Sequence, residues 1–481
     1  MGEFLLSTTH RPIPSYAYSW RPYASDRLIF KEVKGPDGLV DVIIDPWNQR
    51  WVITRKPAAQ LLKLADGTRR FSRIIGDLGT FPTDLDPVML AEELRIQGML
   101  FDNSVEHHDS GRPVYNVCDF SYIAGIHIET TNRCNMQCAH CYVASGKPLP
   151  NELALDEILR VVDTLPPWAG KRVAISGGEP ALRSDAISLL NHCSVTRGLD
   201  VDWYTNGKRF PRGLAERMLE INSLNRTIVR LQLSLEGHTA ALNDMVRGKG
   251  AFKEALKGLE LFKQVGLNRY VVLFVCVTKH NIPYVEDMIR FASNQDVAML
   301  VFTQWQKQGY AKESLAPTND QWVAAGEVLL RYSNPRLRVF GNFFGDLGND
   351  ELGRYRLDAP FFPKQTYCYN VVPRITPDGN VLADQLWVDP KWVLGNVRER
   401  PLSEWFSTSK FYDQFSSIRQ REWDIAECSE CEWRQLCMGG SAGLAYAEFG
   451  TLRARDSFCE ARKYWFQRYV DYQVGQLALL T

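Results

Sequence analysis

The stretch IAGIHIETTNRCNMQCAHC, residues 123–141, runs from a predicted β-strand directly into three closely spaced cysteines. Cys134, Cys138 and Cys141 have the spacing C-x3-C-x2-C. A structural zinc site is normally closed by four ligands and built from C-x2-C pairs, so a run of three fits zinc poorly. A 4Fe-4S cluster with one iron left open fits it better. The stretch therefore predicts an iron–sulfur cluster with three thiolate ligands at the end of a strand.

Five more predicted strands follow this one, and helical patterns separate them. They are RVAISGG, LDVDWYTNG, VRLQLSLEG, YVVLFVCVT and VAMLVFTQW. Repeated strand-then-helix units form a parallel sheet, and six of them form a full or partial barrel with its site at the carboxyl ends of the strands. We therefore expect an α/β fold with a partial (β/α)6 TIM-type barrel over residues 123–355.

Two other regions flank the predicted barrel. Residues 1–102 contain three predicted strands, RLIFKEV, LVDVIIDP and RWVITR, and then three short amphipathic helices, which together indicate an α+β module. Residues 103–122 begin with the polar, proline-ended stretch NSVEHHDSGRP and are expected to form a linker. Residues 356–481 are rich in turns and cysteines, which favours a separate, metal-supported domain.

The composition excludes several classes of partner. Lysine plus arginine and aspartate plus glutamate both total 56 among 481 residues, so no net charge favours nucleic acid. The longest strongly apolar run, residues 271–277, is far shorter than the roughly 20 residues that span a bilayer. No signal-peptide pattern is present at the N-terminus. Clusters among 11 cysteines in a large chain indicate metal or redox chemistry rather than disulfides, so we expect a cytoplasmic protein.

The three-cysteine run, with the aromatic-type His140 just before its last cysteine, resembles the radical S-adenosylmethionine (SAM) enzymes. The resemblance implies that the fourth iron chelates the amino and carboxylate groups of SAM. It also implies that a reduced cluster, supplied by a donor such as flavodoxin or ferredoxin, splits SAM into methionine and a 5'-deoxyadenosyl radical. That radical abstracts hydrogen from an unactivated C–H bond of the substrate.

Further motifs at the strand ends match the SAM contacts of that family. SGGEP supplies Gly177, Gly178, Glu179 and Pro180, which the resemblance places at the methionine moiety of SAM. Bare glycine backbone lets a ligand approach, and the Glu179 carboxylate can accept hydrogen bonds from its ammonium group. The later motifs YTNG, QLSLEG and DMVRGKG contribute Asn206, Ser234 at the ribose and Arg247 at the SAM carboxylate. A capping serine and a solvated arginine are the alternative interpretations of Ser234 and Arg247.

The C-terminal cysteines form a second, closed set. Cys428, Cys431 and Cys437 in CSECEWRQLC, with the more distant Cys459, resemble the SPASM domain of peptide-modifying radical SAM enzymes. The resemblance implies that these four cysteines hold an auxiliary 4Fe-4S cluster, and a zinc ribbon is the alternative.

The ligands of the family's other auxiliary cluster are incomplete in this sequence. Cys368 aligns with one ligand, but Asp384 and Ser441 stand where the family has cysteines, and Phe362 stands at a further ligand position. Oxygen ligands suit a soft cluster poorly, so we do not expect this cluster to form. Asp384 is then a candidate acid or base, or a polar turn residue.

The N-terminal module is similar to the small, winged-helix-like peptide-binding domain of the pyrroloquinoline quinone pathway (PqqD), the recognition element of many enzymes that mature ribosomally made peptides. The resemblance implies that a precursor's leader adds as a strand at the sheet edge. That edge is expected at Arg50, Trp51, Val52, Ile53, Thr54 and Arg55, with the third helix facing it. A winged helix that binds DNA is the alternative.

All three regions together indicate a peptide maturase. We expect a side-chain crosslink, because an auxiliary cluster with four thiolates can accept the electron that bond formation releases. A peptide epimerase would need a thiol hydrogen donor, for which Cys276 on the fifth strand is the candidate among Cys118, Cys193, Cys276 and Cys368. A thioether synthase and a catalytically silent leader-binding protein are the remaining alternatives.

Overall fold

A computed structural model of the chain describes most of its residues. They are residues 20–24, 28–35, 38–45, 50–54, 56–79, 86–96, 99–101, 125–165, 171–331, 337–341, 345–349, 355–356, 373–383, 389–406, 408–411, 413–414, 421–431, 433, 437 and 439–468. The chain divides into two compact units, residues 1–114 with 463–481 and residues 115–462. Five positions of interest, Arg55, Cys118, Phe362, Cys368 and Asp384, lie outside the described residues, as does the whole predicted linker.

The first unit contains the predicted strands and helices in the predicted order. Its strands are β1 (Ile29–Gly35), β2 (Gly38–Asp45) and β3 (Arg50–Thr54), and its helices are α1 (Lys56–Leu64), α2 (Phe71–Leu78) and α3 (Pro87–Ile96). The strands form an antiparallel sheet of order β1-β2-β3, which leaves β3 at an edge within the described residues. Phe71, Ile74 and Leu78 share one face of α2, so this face packs into the core of the unit.

The second unit is built on a parallel sheet. All six predicted strands are present, as β4 (Ile126–Glu129), β5 (Arg172–Ser176), β6 (Asp200–Thr205), β7 (Val229–Ser234), β8 (Val271–Cys276) and β9 (Met299–Thr303). Alternate residues such as Ile128, Ile175 and Leu231 are fully buried and apolar. The intervening positions carry His127, Glu129 and other polar groups. Because side chains alternate across a strand, one face of the sheet packs as an apolar core and the other face carries the polar side chains.

Helices follow the strands of this sheet. They are α4 (Leu155–Asp163), α5 (Ala186–Asn191), α6 (Arg212–Ser223), α7 (Ala240–Arg247), α8 (Ala251–Val265), α9 (Val285–Ser293) and α10 (Asn319–Leu330). Their ends follow local rules. α8 lies between Gly250 and Gly266, both in the left-handed conformation, and Thr318 and Gln321 form a capping box at the start of α10.

The sheet extends beyond the six predicted strands on both sides. After β9 come β10 (Arg338–Gly341), parallel to it, and then β11 (Gly345–Asn349) and β12 (Tyr355–Arg356). Beside β4 lie β13 (Arg374–Ile375), β14 (Asn380–Leu382) and β15 (Gly395–Asn396). Within the described residues the sheet therefore has 12 strands, and the region after the barrel begins by extending the barrel's own sheet.

Four short helices lie among the described residues of the rest of that region. They are α11 (Leu402–Trp405), α12 (Arg421–Asp424), α13 (Ala426–Ser429) and α14 (Ala442–Phe449). In the part of the chain that the structure describes, no helix has the length and apolar character needed to cross a bilayer.

Candidate functional site

The three-cysteine loop begins where β4 ends and is closed by its own backbone. The Cys134 N–H donates to the Gly146 carbonyl at 2.9 Å, and the Gly146 N–H donates to the Asn132 carbonyl at 2.9 Å. The Glu152 carboxylate accepts hydrogen bonds from the Thr131 hydroxyl at 2.8 Å and the Asn132 N–H at 2.7 Å. These contacts fix the backbone of the loop next to the end of β4.

The SGGEP segment after β5 packs directly on this loop. The Gly178 N–H donates to the Thr131 carbonyl at 2.7 Å, and the Glu179 N–H donates to the Arg133 carbonyl at 2.9 Å. A Cβ atom would lie 2.3 Å from the Thr131 carbonyl oxygen at Gly177 and 2.2 Å from the Arg133 carbonyl oxygen at Gly178. The two glycines are therefore required by the contact between two backbone segments, in addition to any role in ligand approach.

Glu179 is buried at the carboxyl ends of β5 and β6. Its carboxylate accepts hydrogen bonds from the Ala181 N–H at 3.2 Å, the Thr205 hydroxyl at 3.0 Å and the Asn206 N–H at 2.8 Å. Burial nevertheless raises the pKa of Glu179 to about 7, because it disfavours the charged form more than these bonds favour it. A carboxylate has about four acceptor positions, so one is left for an ammonium group.

Asn206 connects the end of β6 to the cysteine loop. Its side-chain Nδ2 donates to the side-chain Oδ1 of Asn135 at 2.8 Å and lies 3.9 Å from the Cys134 sulfur. Its own side-chain Oδ1 accepts from the Lys208 N–H at 2.8 Å. The sequence-based assignment of Asn206 to the site therefore agrees with its position beside the first cysteine.

Glu236, which sequence reasoning did not single out, is a buried acid that contacts three residues of the site. Its carboxylate accepts from Arg247 Nη1 at 2.7 Å and from the Cys276 N–H at 2.6 Å, and it lies 3.2 Å from Nε2 of His140. Burial alone would raise the pKa of Glu236, but His140 and Arg247 outweigh it and hold this pKa below its usual value. The only signal in the sequence was its place at a strand end in QLSLEG.

These contacts place Arg247, His140 and Cys276 together. Arg247 is buried, and the backbone of its neighbour Val246 accepts from the Ala139 N–H of the cysteine loop at 2.8 Å. One of the five N–H donors of Arg247 is used by Glu236, so others can reach an anion. Burial followed by the charge of Glu236 raises the pKa of the Cys276 thiol well above its usual value. Ser234 lies half-buried at the end of β7.

The three loop cysteines fit an iron–sulfur cluster. None of the described cysteines forms a disulfide. The pKa of Cys134 is raised to about 11, chiefly by burial and in smaller part by the charges of Glu179, Cys138 and Cys141, so the three sulfurs are electrostatic neighbours. Within the described ranges no three metal-binding side chains converge as they would on a single ion. A 4Fe-4S cluster does not need that convergence, because each thiolate binds a different iron.

A segment after β9 covers the end of the loop. The Tyr310 N–H donates to the Cys141 carbonyl at 2.8 Å, and a Cβ atom at Gly309 would lie 2.4 Å from the same oxygen. On the other side, Tyr142 contacts Glu129 at 3.5 Å, and the Arg374 guanidinium lies over its ring. The residues flanking the third cysteine are therefore enclosed by strands from both sides of the barrel.

The four C-terminal cysteines also come together. Burial raises the pKa of Cys428 to about 12, with further contributions from Cys437, Cys459 and Cys431 in that order. The described part of α14 and the loop before it place Ser441 as a helix cap, since its hydroxyl accepts from the Leu444 N–H at 3.3 Å. Four soft thiolates with no oxygen ligand among them suit an iron–sulfur cluster, whereas a zinc ion would need a convergence on one point that the described cysteines do not show.

Two of the other cysteines have assignable places. Cys193 is fully buried in the second unit, and burial raises the pKa of its thiol to about 12, as expected for a core residue. Cys276 ends β8 in register with Thr303 of β9, at the same end of the sheet as the cysteine loop.

Comparisons with known proteins agree with this geometry. Residues 128–292 match the radical SAM superfamily. The mycofactocin maturase MftC of Mycobacterium ulcerans (strain Agy99) is 29% identical over 324 residues, which cover 65% of this chain and 81% of that protein. The described barrel and its strand order have the radical SAM α/β fold.

Solved structures give the same fold. Native anSMEcpe with bound AdoMet and Cp18Cys peptide aligns with a TM-score of 0.58 at 17% identity, covering 75% of this chain and 100% of that chain. Streptococcus suis SuiB bound to precursor peptide SuiA aligns with a TM-score of 0.56 at 16% identity, covering 91% of this chain and 100% of that chain. The second alignment therefore extends over most of this chain.

Proposed function

We propose that this protein is a radical SAM enzyme that modifies a ribosomally made precursor peptide by joining two of its side chains through a C–C, C–O or cyclophane-type bond. The observation that carries the proposal is the pair of cysteine sets. An open set of three lies at the carboxyl ends of a radical SAM barrel, and a closed set of four lies in the region after it. The relatives MftC and SuiB, a maturase and a protein solved with its precursor peptide, support a peptide as the substrate.

The chain's own residues hold and orient the cofactors. When bound, the cluster at Cys134, Cys138 and Cys141 supplies with SAM a 5'-deoxyadenosyl radical that abstracts hydrogen from the peptide. Gly177 to Pro180, Asn206 and Ser234 line the ends of adjacent strands, where SAM would lie. Glu179 keeps one acceptor position for the ammonium group of SAM, and Arg247 keeps N–H donors for the carboxylate of SAM. A donor such as flavodoxin or ferredoxin in the cytoplasm would supply the electron.

The N-terminal module is proposed to recognise the leader. Its β3, Arg50–Thr54, lies at a sheet edge within the described residues, and such an edge presents unpaired backbone groups to an added strand. Recognition through backbone groups would let one module serve a leader while the barrel acts on the core of the same peptide. The resemblance to PqqD-like domains carries this part of the proposal.

The electron balance determines the product. A peptide radical that bonds to a second side chain must lose one proton and one electron to restore closed shells. The cluster at Cys428, Cys431, Cys437 and Cys459 is the proposed electron acceptor, and Asp384 is a candidate acceptor for the proton. One SAM is consumed per bond, and the peptide becomes lighter by about two hydrogens.

Mass spectrometry of the precursor after anaerobic turnover tests this proposal. The substrate is to be found by searching the neighbouring genes for a short peptide reading frame. A loss of about two hydrogens, with 5'-deoxyadenosine formed in step, is the expected result. A peptide mass that is unchanged in ordinary water and rises by one deuterium in heavy water would establish an epimerase instead. This deuterium uptake would be lost in Cys276→Ala.

Two further outcomes would also overturn the crosslink. A thioether synthase would remove the same mass, but a peptide cysteine would then no longer react with iodoacetamide. A leader-binding protein without catalysis would form no 5'-deoxyadenosine in the presence of a strong reductant.

A further inference from the structure

We propose that Arg462 raises the reduction potential of the auxiliary cluster by donating a hydrogen bond to one of its thiolates. This inference rests on the proposed auxiliary cluster at the four C-terminal cysteines. Arg462 Nη1 lies 3.3 Å from the sulfur of Cys437. The guanidinium is only 9% exposed, so solvent does not compete strongly for this contact.

Asp456 holds the guanidinium in this orientation. Its two carboxylate oxygens accept from Arg462 Nη2 at 3.0 and 2.8 Å, and the second also accepts from the Ser441 N–H at 2.6 Å. The carboxylate is fully buried. Because Asp456 binds Nη2, the Nη1 group is left to point at sulfur.

The backbone makes room for this ion pair. Gly440 has φ +72°, and a Cβ atom there would lie 2.5 Å from the Asp456 carboxylate and 2.6 Å from Arg462 Nη1. A side chain at this position would displace the pair that is aimed at the sulfur. The lack of a side chain at Gly440 therefore leaves room for the buried pair of Asp456 and Arg462 beside Cys437.

A second arginine contacts the set more weakly. Arg455 Nη1 lies 3.7 Å from the sulfur of Cys459, but its side chain is 37% exposed and also binds Glu460 at 2.6 Å. Solvent and the neighbouring carboxylate screen its charge. Arg462 is therefore the arginine expected to act on the cluster.

The direction of the effect follows from charge. Reduction adds one electron to a cluster that is already anionic with four thiolates. An N–H donor and a positive charge at a thiolate stabilise the reduced form more than the oxidised form, and so raise the potential. A higher potential makes the cluster a better acceptor for the electron that crosslinking releases.

A redox titration tests this assignment. The Cys134→Ala/Cys138→Ala/Cys141→Ala protein is reconstituted so that only the auxiliary cluster contributes, and its reduction is followed by electron paramagnetic resonance. Arg462→Met is expected to disfavour reduction about tenfold, which is about 59 mV for one electron. Arg453→Met is the control, since Arg453 lies in the same loop with its side chain 78% exposed. It should leave the potential unchanged.

The outcomes separate this inference from the proposed function. About four irons per protein and an unchanged potential in Arg462→Met would overturn the role of Arg462 alone. An absence of iron in the triple-cysteine protein itself would overturn the auxiliary cluster, and this inference with it. If Arg462→Met does not retain iron, the double variant Arg462→Met/Asp456→Asn, which removes the N–H donor and the charge without leaving the buried Asp456 carboxylate unpaired, is titrated instead. An unchanged potential there would overturn the role of Arg462 equally.

Discussion

The carboxylate of Glu129 and the guanidinium of Arg374 form a buried, two-point ion pair between the first strand of the barrel and the region after it. Arg374 Nε and Nη2 each lie 2.9 Å from a different Glu129 oxygen, and the two residues are 245 positions apart. The pair also contacts Tyr142, next to the third cysteine of the loop. It therefore ties the cluster loop to the strand that extends the sheet.

Breaking this pair should destabilise the second unit strongly. Arg374→Met leaves the Glu129 carboxylate buried without its partner, which typically costs about 3 to 5 kcal/mol. Arg398→Met is the matched control. Arg398 makes the same two-point contact with Glu157, at 2.6 and 3.0 Å, but its side chain is 38% exposed. Exposed pairs contribute about 0.2 to 1 kcal/mol, so the thermal midpoint should fall much less. Equal shifts for both variants would contradict this account.

Gly309→Ala should impair assembly of the cluster loop. A Cβ atom there would lie 2.4 Å from the Cys141 carbonyl oxygen, and φ is +59°. Gly198→Ala separates the two costs, because Gly198 has φ +65° and no atom within 4 Å of the added Cβ. The control should lose about 1 to 2 kcal/mol from backbone conformation alone. The iron bound per protein after reconstitution should drop in Gly309→Ala only. A full iron content in both variants would show that the backbone around Gly309 can move away from the Cys141 carbonyl without disturbing the cysteine loop.

SAM binding should depend on pH through Glu179. Burial raises the pKa of this carboxyl from 4.5 to about 7, so it is ionised above pH 7 and protonated below it. Only the ionised form can pair with the ammonium group of SAM. We expect affinity, measured by equilibrium dialysis on reconstituted protein, to fall as pH decreases through about 7. In Glu179→Gln the affinity should be lower and this pH dependence absent. The same pH profile in both proteins would remove Glu179 from the SAM site.

The two cysteine sets should bind clusters independently. Iron and sulfide counting on the Cys134→Ala/Cys138→Ala/Cys141→Ala protein should give one 4Fe-4S cluster, compared with two in the parent. The reason is that one open and one closed ligand set are present. A second cluster remaining in the triple variant would show that the other auxiliary cluster forms at Cys368, Asp384 and Ser441, contrary to expectation.

Leader recognition should depend on one edge of β3. Successive N–H groups of a strand point to opposite sides, so of Val52→Pro and Ile53→Pro one removes a bond to β2 and the other only an outward donor. The variant that keeps its fold should bind the precursor more weakly in fluorescence anisotropy. SAM cleavage should continue in that variant. Unchanged affinity in a folded variant of each position would place the leader elsewhere.

Sequence reasoning identified the features whose signal is local. Six strands were recognisable because each is a short apolar run followed by a helical pattern, and the spacing of Cys134, Cys138 and Cys141 is itself the chemical signature. The three strands and three helices of the first unit were recognisable for the same reason. The motif YTNG indicated that Asn206 lies at a strand end, and the structure places its side chain beside Cys134.

Contacts between distant segments could not be read from the sequence. Glu236 looks like any acid at a strand end until the fold brings Arg247, His140 and Cys276 to its carboxylate. The glycines of SGGEP suggested ligand approach, but the structure shows in addition that they pack against the backbone of the cysteine loop.

The sequence by itself determined which residues are candidate iron ligands and where strands and helices alternate, because both depend on side-chain chemistry and short-range periodicity. Only the tertiary structure decided that β13 continues the barrel sheet beside β4, that Arg374 neutralises Glu129, and that Arg462 faces Cys437. These pairings depend on strand register and chain path over long separations. A buried charge is stable only where the fold brings it a partner, and no local pattern specifies that partner.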